Sequence, residues 1–403
     1  MRPEEGRALL WSFAYFFCLL AAYYILRPLR DEMGIAGGVR NLQWLFTATF
    51  LVMLGAVPLY GALVARLPRR RFIPLVYHFF AANLVVFWLL LVLDVERQTV
   101  ARVFFVWVSV FVLFAVSVFW SFMADVFSSE QGKRLYGFIA AGGSAGALAG
   151  PGLVIVLVPW LGTANVLLVA ALLLEAAILC AMRLEKRNQD SEKESSLGGG
   201  AFDGLVTVLR SPYAAGIALW VGLLSIAATF LYFEQARVVA EYSGDPAVRT
   251  RIFAGMDLAV GILTLGIQFV ATGKLIARFG VGPALALLPV VFAAGFAVFA
   301  AHPVLAVVVA FTALQRTANF AISNPAREVL FTVMGRDEKY KAKNVIDIVA
   351  VRGADALGGW LVTALRGLGL PVAAAAIGLA AACFALSIAL GRAQERRAAA
   401  GRL

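Results

Sequence analysis

Charge is scarce in this chain. Of its 403 residues only 15% are Asp, Glu, Lys or Arg, where an average soluble protein is about a quarter charged. There are three cysteines and two histidines. Cys18, Cys180 and Cys383 lie inside apolar runs with no C-x-x-C pair. That excludes a disulfide framework or a thiolate metal cluster and leaves buried structural thiols. Catalytic signatures are missing too. Neither Gly132-Lys133 nor Gly273-Lys274 is followed by Ser or Thr, so no phosphate-binding G-x-x-x-x-G-K-[ST] exists, and neither H-E-x-x-H nor G-x-S-x-G occurs. No enzyme, cofactor or metal site is expected.

Apolar sequence is abundant, at 62% of the chain. A soluble protein of this length could not hide that much apolar surface. Twelve membrane spans of about 20 residues each would need about 240 apolar positions, which matches the supply. Apolar stretches with Gly and Ala interspersed fall at 8–27, 42–65, 72–93, 100–123, 137–158 and 161–182, and then at 212–236, 252–272, 282–301, 303–324, 345–365 and 371–390. All-round hydrophobicity of this kind reads as helix in lipid. The first run is long and lacks a small-residue cleavage site, so it reads as a span and not as a cleaved signal.

Net charge is +11, and its distribution matters more than its size. With both termini on one side, that side carries 23 of the 35 Lys and Arg residues, including Arg66 and Arg69 to Arg71. The basic side is expected to be cytoplasmic, in a bacterial inner membrane. The positives therefore point to the lipid bilayer and not to a nucleic acid polymer. Residues 184–204 are charged and then Gly-rich, the composition of a solvated linker. The expected organisation is an N-terminal bundle at 1–183, a linker at 184–204, a C-terminal bundle at 205–392 and a tail at 393–403.

The two halves look like diverged copies. G-A-L-V-A-R (Gly61–Arg66) returns as G-K-L-I-A-R (Gly273–Arg278), and the stretch Lys133–Gly150 aligns with Lys341–Gly358, at offsets of 212 and 208. The expected fold is an all-α membrane protein with twelve transmembrane helices in two pseudo-symmetric six-helix bundles, an architecture of alternating-access transporters. One copy of the chain would suffice, so a monomer is expected.

Particular motifs carry a family resemblance. G-A-L-V-A-R-L-P-R-R (Gly61–Arg70) resembles the major facilitator superfamily loop signature G-x-x-x-D-R-x-G-R-R, with Ala65 at the Asp and Pro68 at the Gly. Arg66 would then act as an inter-helix latch. Gly146-x-x-x-Gly150-Pro151 resembles that superfamily's antiporter signature, although the same small residues also serve close helix packing. Three longer stretches are similar to the ATP/ADP translocase family. These are Y-Y-I-L-R-P-L-R-D (Tyr23–Asp31), F-W-S-F-M-A-D-V-F (Phe119–Phe127) and N-P-A-R-E-V-L-F (Asn324–Phe331), the last leading to K-A-K-N-V-I-D-I-V (Lys341–Val349). By that resemblance Arg30 matches the family's span 1 Lys and Glu234 its span 7 acid. Val108 replaces a span 4 acid, and Asp355 stands near a lost span 11 Lys.

Ionised groups at bilayer depth cost at least about 2.5–3.5 kcal/mol and normally face a partner or a wet path. Spans 1, 4, 7 and 10 hold Arg27, Arg30, Asp31, Asp125, Glu234, Arg237, Arg316 and Arg327. In the superfamily those four spans line the central cavity. At 100° per residue Tyr23, Arg27 and Arg30 share an arc of about 60°, and Arg316, Asn319, Ser323 and Arg327 one of about 80°. Asp347, Arg352 and Asp355 span about 140° on span 11. The arginines offer forks for phosphate or carboxylate, with Tyr23, Tyr24, Trp120 and Tyr232 to stack a flat ring. The same charges can instead satisfy one another, as Arg30 with Asp31 or Glu234, Arg352 with Asp355, and Arg327 with Glu328. Glu175 and Asp257 sit amid apolar sequence, where a carboxyl can take up and release a proton as its exposure changes. His78 reads as a helix-packing residue or a relay.

The candidate substrate-binding residues are Tyr23, Arg27, Arg30, Asp125, Glu234, Arg237, Arg316, Asn319, Arg327 and Arg352. Asp31, Arg66, Glu175, Asp257, Asp347 and Asp355 are the candidates for coupling or gating. The expected activity is secondary transport of an anionic small solute, of nucleotide-like or phosphorylated type, by exchange or proton coupling. Proton-coupled export of amphipathic or cationic compounds, or a non-transporting scaffold or sensor, are the alternatives.

Overall fold

The computed structural model describes residues 6–66, 69–185 and 201–400, and among them there is helix but no strand. The long helices are α1 (Gly6–Ala36), α2 (Leu42–Arg66), α3 (Arg69–Val92), α4 (Arg97–Val126) and α5 (Ser129–Glu185). A short α6 (Ala201–Arg210) precedes α7 (Pro212–Tyr242) and α8 (Pro246–Ile267). They are followed by α9 (Gly273–Phe279), α10 (Val281–Ala301), α11 (Leu305–Ala318), α12 (Asn324–Leu330), α13 (Arg336–Val345), α14 (Val351–Gly367) and α15 (Val372–Ala400).

Eleven segments among the described residues are long and apolar enough to cross a membrane. One of them, Arg134–Leu184, has 51 residues, far more than the roughly 20 that a crossing needs. It is broken at Gly162, whose φ of 78° and ψ of 166° suit only glycine. With that break the segment makes two crossings, and the total is the twelve expected. The linker differs from expectation at its end, because α6 already begins at Ala201; residues 186–200 lie outside the described residues.

The chain divides into two compact units. The first takes in Met1–Gly38, Gly55–Ser196 and Ser243–Leu258. The second takes in Val39–Leu54, Leu197–Tyr242 and Ala259–Leu403. Most of each half of the chain thus falls in one unit, but the start of α8 packs with the first and the start of α2 with the second.

In the first unit α1 lies against α5 along a glycine stripe. A Cβ at Gly146 would strike the Phe17 carbonyl and lie 2.9 Å from the Ala21 nitrogen; at Gly150 it would lie 2.8 Å from the Ala21 carbonyl oxygen and 2.7 Å from the Tyr24 Cβ. Only hydrogen lets the two backbones approach so closely. The stripe therefore has a packing role. Behind it is an aromatic core in which the Phe16 and Phe119 rings stack at 4.1 Å. Tyr15 donates to the Tyr77 hydroxyl at 2.8 Å, and Tyr77 donates to the Ala115 carbonyl at 2.9 Å.

The second unit repeats the contact. A Cβ at Gly358 would lie 3.0 Å from the Thr229 Cβ and 3.2 Å from the Ile226 Cα. Gly358 is 208 positions after Gly150, and Thr229 is 208 positions after Ala21. The offset that aligns the sequences also aligns the partners, so α14 on α7 is the counterpart of α5 on α1. Gly359 packs equally closely on Gln43, and Trp360 donates to the Thr47 hydroxyl at 3.0 Å, which is why the start of α2 belongs to this unit.

Substituting Ala at Gly146 or Gly150 is expected to cost about 1–3 kcal/mol by overpacking. Ala at Gly152, where an added methyl would meet nothing within 4 Å, should be neutral within about 0.5 kcal/mol. Thermal unfolding of the purified variants checks the contrast.

Candidate functional site

The first unit concentrates its charge at the end of α1. Tyr23, Tyr24, Arg27, Arg30, Asp31 and Glu32 lie within three turns there. Arg27 Nε lies 3.7 Å from Asp257 Oδ1, and Asp257 is almost wholly buried. The Arg30 guanidinium carbon lies over the Phe105 ring, 4.2 Å from its centroid, with its nearest carboxylate oxygen, on Asp31, at 3.8 Å. That is beyond hydrogen-bond reach. Among the described residues neither Arg27 nor Arg30 makes a hydrogen bond, and their side chains remain 19% and 18% exposed. Two guanidiniums one turn apart, beside two tyrosines, thus make no hydrogen bond among the described residues, and Arg30 Nε is buried. The Tyr23 and Tyr24 rings meet edge to face at 5.1 Å.

A second pair was not anticipated from sequence. Arg249, at the start of α8, donates to Glu32, and both side chains are buried. Arg249 Nη1 also reaches the Ser243 and Gly244 carbonyls at 3.2 and 3.3 Å. Together with Arg27–Asp257 this pair joins the start of α8 to α1 in the same unit. Asp125 is exposed at the end of α4. Trp120 packs with Phe16, Phe119 and Tyr136 in an aromatic cluster. Glu175 meets His78, with Nδ1 and Oε1 3.0 Å apart. Arg66 ends α2, and its side chain lies outside the described residues.

The second unit shows fuller pairing. Glu234 is buried, with both oxygens engaged. Oε2 accepts from Arg237 Nε at 3.0 Å and Nη2 at 2.8 Å, and Oε1 accepts from Arg366 at 2.9 Å. Nothing in the sequence singles out Arg366. Arg327 meets Asp347 at 3.0 Å, while its chain neighbour Glu328 is 3.8 Å away and takes Lys343 instead. Arg352 Nη1 donates to Asp355 Oδ2 at 3.3 Å, the i,i+3 pair expected, and Thr229 donates to the other oxygen at 3.4 Å. Arg316 and Asn319 are half-buried near the end of α11. The Tyr232 ring packs on Phe46 at 5.4 Å.

The even polar stripe from Arg316 to Arg327 needs correction. An even stripe requires an unbroken α-helix, but Asn319–Ser323 form a π-helical turn. The extra residue in such a turn rotates everything after it by about 100°. Arg327 is thereby directed to Asp347, which sits in another π turn, Ile346–Ala350, and Ser323 becomes buried. A third π turn, Gln268–Thr272, braces the first. Thr272 donates to the Ala321 carbonyl at 2.7 Å and Gln268 to the Phe320 carbonyl at 3.2 Å, supplying donors to the backbone that the π turn displaces.

No group of three or more His, Cys, Asp or Glu side chains converges among the described residues. The arrangement suits binding and charge exchange between helices. The Major Facilitator Superfamily model matches residues 7–339. The chain belongs to that superfamily. Solved structures agree in fold. A bacterial homologue of the iron transporter ferroportin, in its inward-facing state, superposes with a TM-score of 0.70 at 12% identity, covering 96% of this chain and 98% of that one. A POT family transporter in complex with 5-aminolevulinic acid gives 0.68 at 11%, covering 97% and 96%. The nucleoside transporter NupG gives 0.62 at 14%, covering 96% and 98%. No curated protein matches the chain. It is a multi-pass membrane transporter of the Major Facilitator Superfamily.

Because Glu32 and Arg249 are both buried, Glu32→Leu alone should destabilise this superfamily member by about 3–5 kcal/mol by stranding Arg249. The Glu32→Leu/Arg249→Met double variant should recover most of that loss. Thermal unfolding of the singles and the double checks it; additive losses contradict the pairing.

Proposed function

We propose that the chain is a secondary transporter that moves an anionic small solute, phosphorylated or nucleotide-like, by alternating access. The observation that carries this reading is Arg30, packed over Phe105 with no hydrogen bond among the described residues and with Nε buried and unpartnered. A partly exposed guanidinium over an aromatic ring can offer N–H donors to a planar or tetrahedral oxyanion. Arg27 stands beside it over the Tyr24 ring, 5.8 Å from its centroid, and aromatic rings beside a guanidinium suit a base next to a phosphate. The stretches similar to the ATP/ADP translocase family run through Tyr23–Asp31 and favour the same solute class.

Most other intramembrane arginines have a carboxylate close by. Arg352, Arg327, Arg237 and Arg366 bind acids at 2.8 to 3.3 Å, so they act in this reading as gating and coupling elements that exchange partners between access states. The glycine stripe of α5 packs on α1, so the reading as proton-coupled export of cationic compounds rests chiefly on the intramembrane carboxyls of Glu175 and Asp257. The basic loops favour an orientation with both termini in the cytoplasm of a bacterial cell.

Counterflow of labelled ADP, ATP and other phosphorylated metabolites in proteoliposomes tests the proposal. Uptake driven by the unlabelled solute is expected, with Arg30→Ala lowering kcat/KM at least about tenfold while thermal stability holds. Failure of every anion, or transport of a neutral solute that Arg30→Ala leaves intact, would overturn it.

A further inference from the structure

His78 on α3 and Glu175 on the second arm of α5 meet on an exposed face of the first unit. Their side chains are 55% and 43% exposed. They are flanked on that face by apolar side chains: Leu75, Phe79, Leu172 and Leu179 are exposed by 58% or more. The opposite side of α3 is closed in the core through Phe72, Tyr77 and Phe80. An exposed helix face made of Leu, Val and Phe is a face toward lipid.

The pair lies inside the apolar spans. His78 is six residues from the start of the span Phe72–Val92, and Glu175 nine from the end of the span Arg134–Leu184. At about 1.5 Å per residue they are about 9 and 13 Å in, within a hydrocarbon core about 30 Å thick. Polar side chains at such depth normally turn into the bundle, and these do not. A second polar contact follows the same seam, where Trp88 donates to the Asn165 side chain at 2.7 Å.

The contact between His78 and Glu175 engages one ring nitrogen and one carboxylate oxygen. Nε2 of the ring and Oε2 of the carboxylate have no partner among the described residues. Lipid tails supply neither donor nor acceptor. In the imidazolium–carboxylate form the ring donates from both nitrogens and the carboxylate accepts at both oxygens, which is self-complementary under a two-fold axis, since each copy offers what the other lacks. We propose that this face of α3 and α5 is the contact between two copies of the chain, joined reciprocally by His78 of each copy and Glu175 of the other. The apolar residues flanking the pair pack around the two polar bridges. The inference is independent of which solute is carried.

Single-molecule photobleaching of the labelled full chain at increasing dilution in liposomes tests it. The wild type is expected to bleach in two steps. The lipid-compatible double variant His78→Phe/Glu175→Leu should weaken association about tenfold or more, with thermal stability retained. Leu172→Cys, with Cys18, Cys180 and Cys383 replaced by Ser, should cross-link to itself. Single-step bleaching of the wild type at every density overturns the proposal. So does unchanged association of the double variant, or a dimer in which Leu172→Cys fails to cross-link.

Discussion

A charge inside a bilayer must meet an opposite charge, a hydrogen-bond partner or water, because hydrocarbon offers nothing in exchange for its hydration. That constraint organises the polar interior of both units. In the first, Glu32 and Asp257 answer Arg249 and Arg27. In the second, Glu234 answers two arginines at once, and Asp347 and Asp355 answer one each. Such pairs stabilise only while both partners are present, which makes them suited to breaking and re-forming as a transporter changes access. Arg30 differs from these arginines in that it packs over the Phe105 ring and its nearest carboxylate oxygen is that of its chain neighbour Asp31, at 3.8 Å.

Close packing by small residues supplies the second constraint. Without a hydrophobic drive between helices in lipid, association depends on backbone approach and van der Waals contact. Gly146 and Gly150 provide this for α1 on α5, and Gly358 provides it for α7 on α14. The shared offset of 208 positions makes the two contacts copies of one design. The rigid pairs α1–α5 and α7–α14 each present candidate arginines on a fixed scaffold, Arg27 and Arg30 in the first unit and Arg352 in the second.

Features set by local sequence were legible in advance. Twelve crossings followed from hydropathy, and even the break at Gly162 fell beside the gap between the fifth and sixth apolar runs. Arg352 with Asp355 was readable because i,i+3 neighbours on a helix meet. Pairings across the chain were not. Arg249 and Glu32 are 217 residues apart and Arg366 and Glu234 132 apart; no motif or helical spacing singles out Glu32, Arg249 or Arg366, and Glu234 alone reads as a substrate contact. The π turns were invisible for a different reason. Periodicity assumes 100° per residue, and nothing in N-F-A-I-S or I-D-I-V-A announces one extra residue in the turn. That residue redirected Arg327 to Asp347 and buried Ser323.

If the α1 arginines recognise an anion, affinity must depend on the charge of the ligand. Equilibrium binding of adenosine, ADP and ATP to the purified protein in bilayers, at low and high salt, is the measurement. Affinity should rise by about tenfold or more from adenosine to ADP and fall as salt screens the contact. Adenosine binding as tightly as ADP, at either salt concentration, would contradict it.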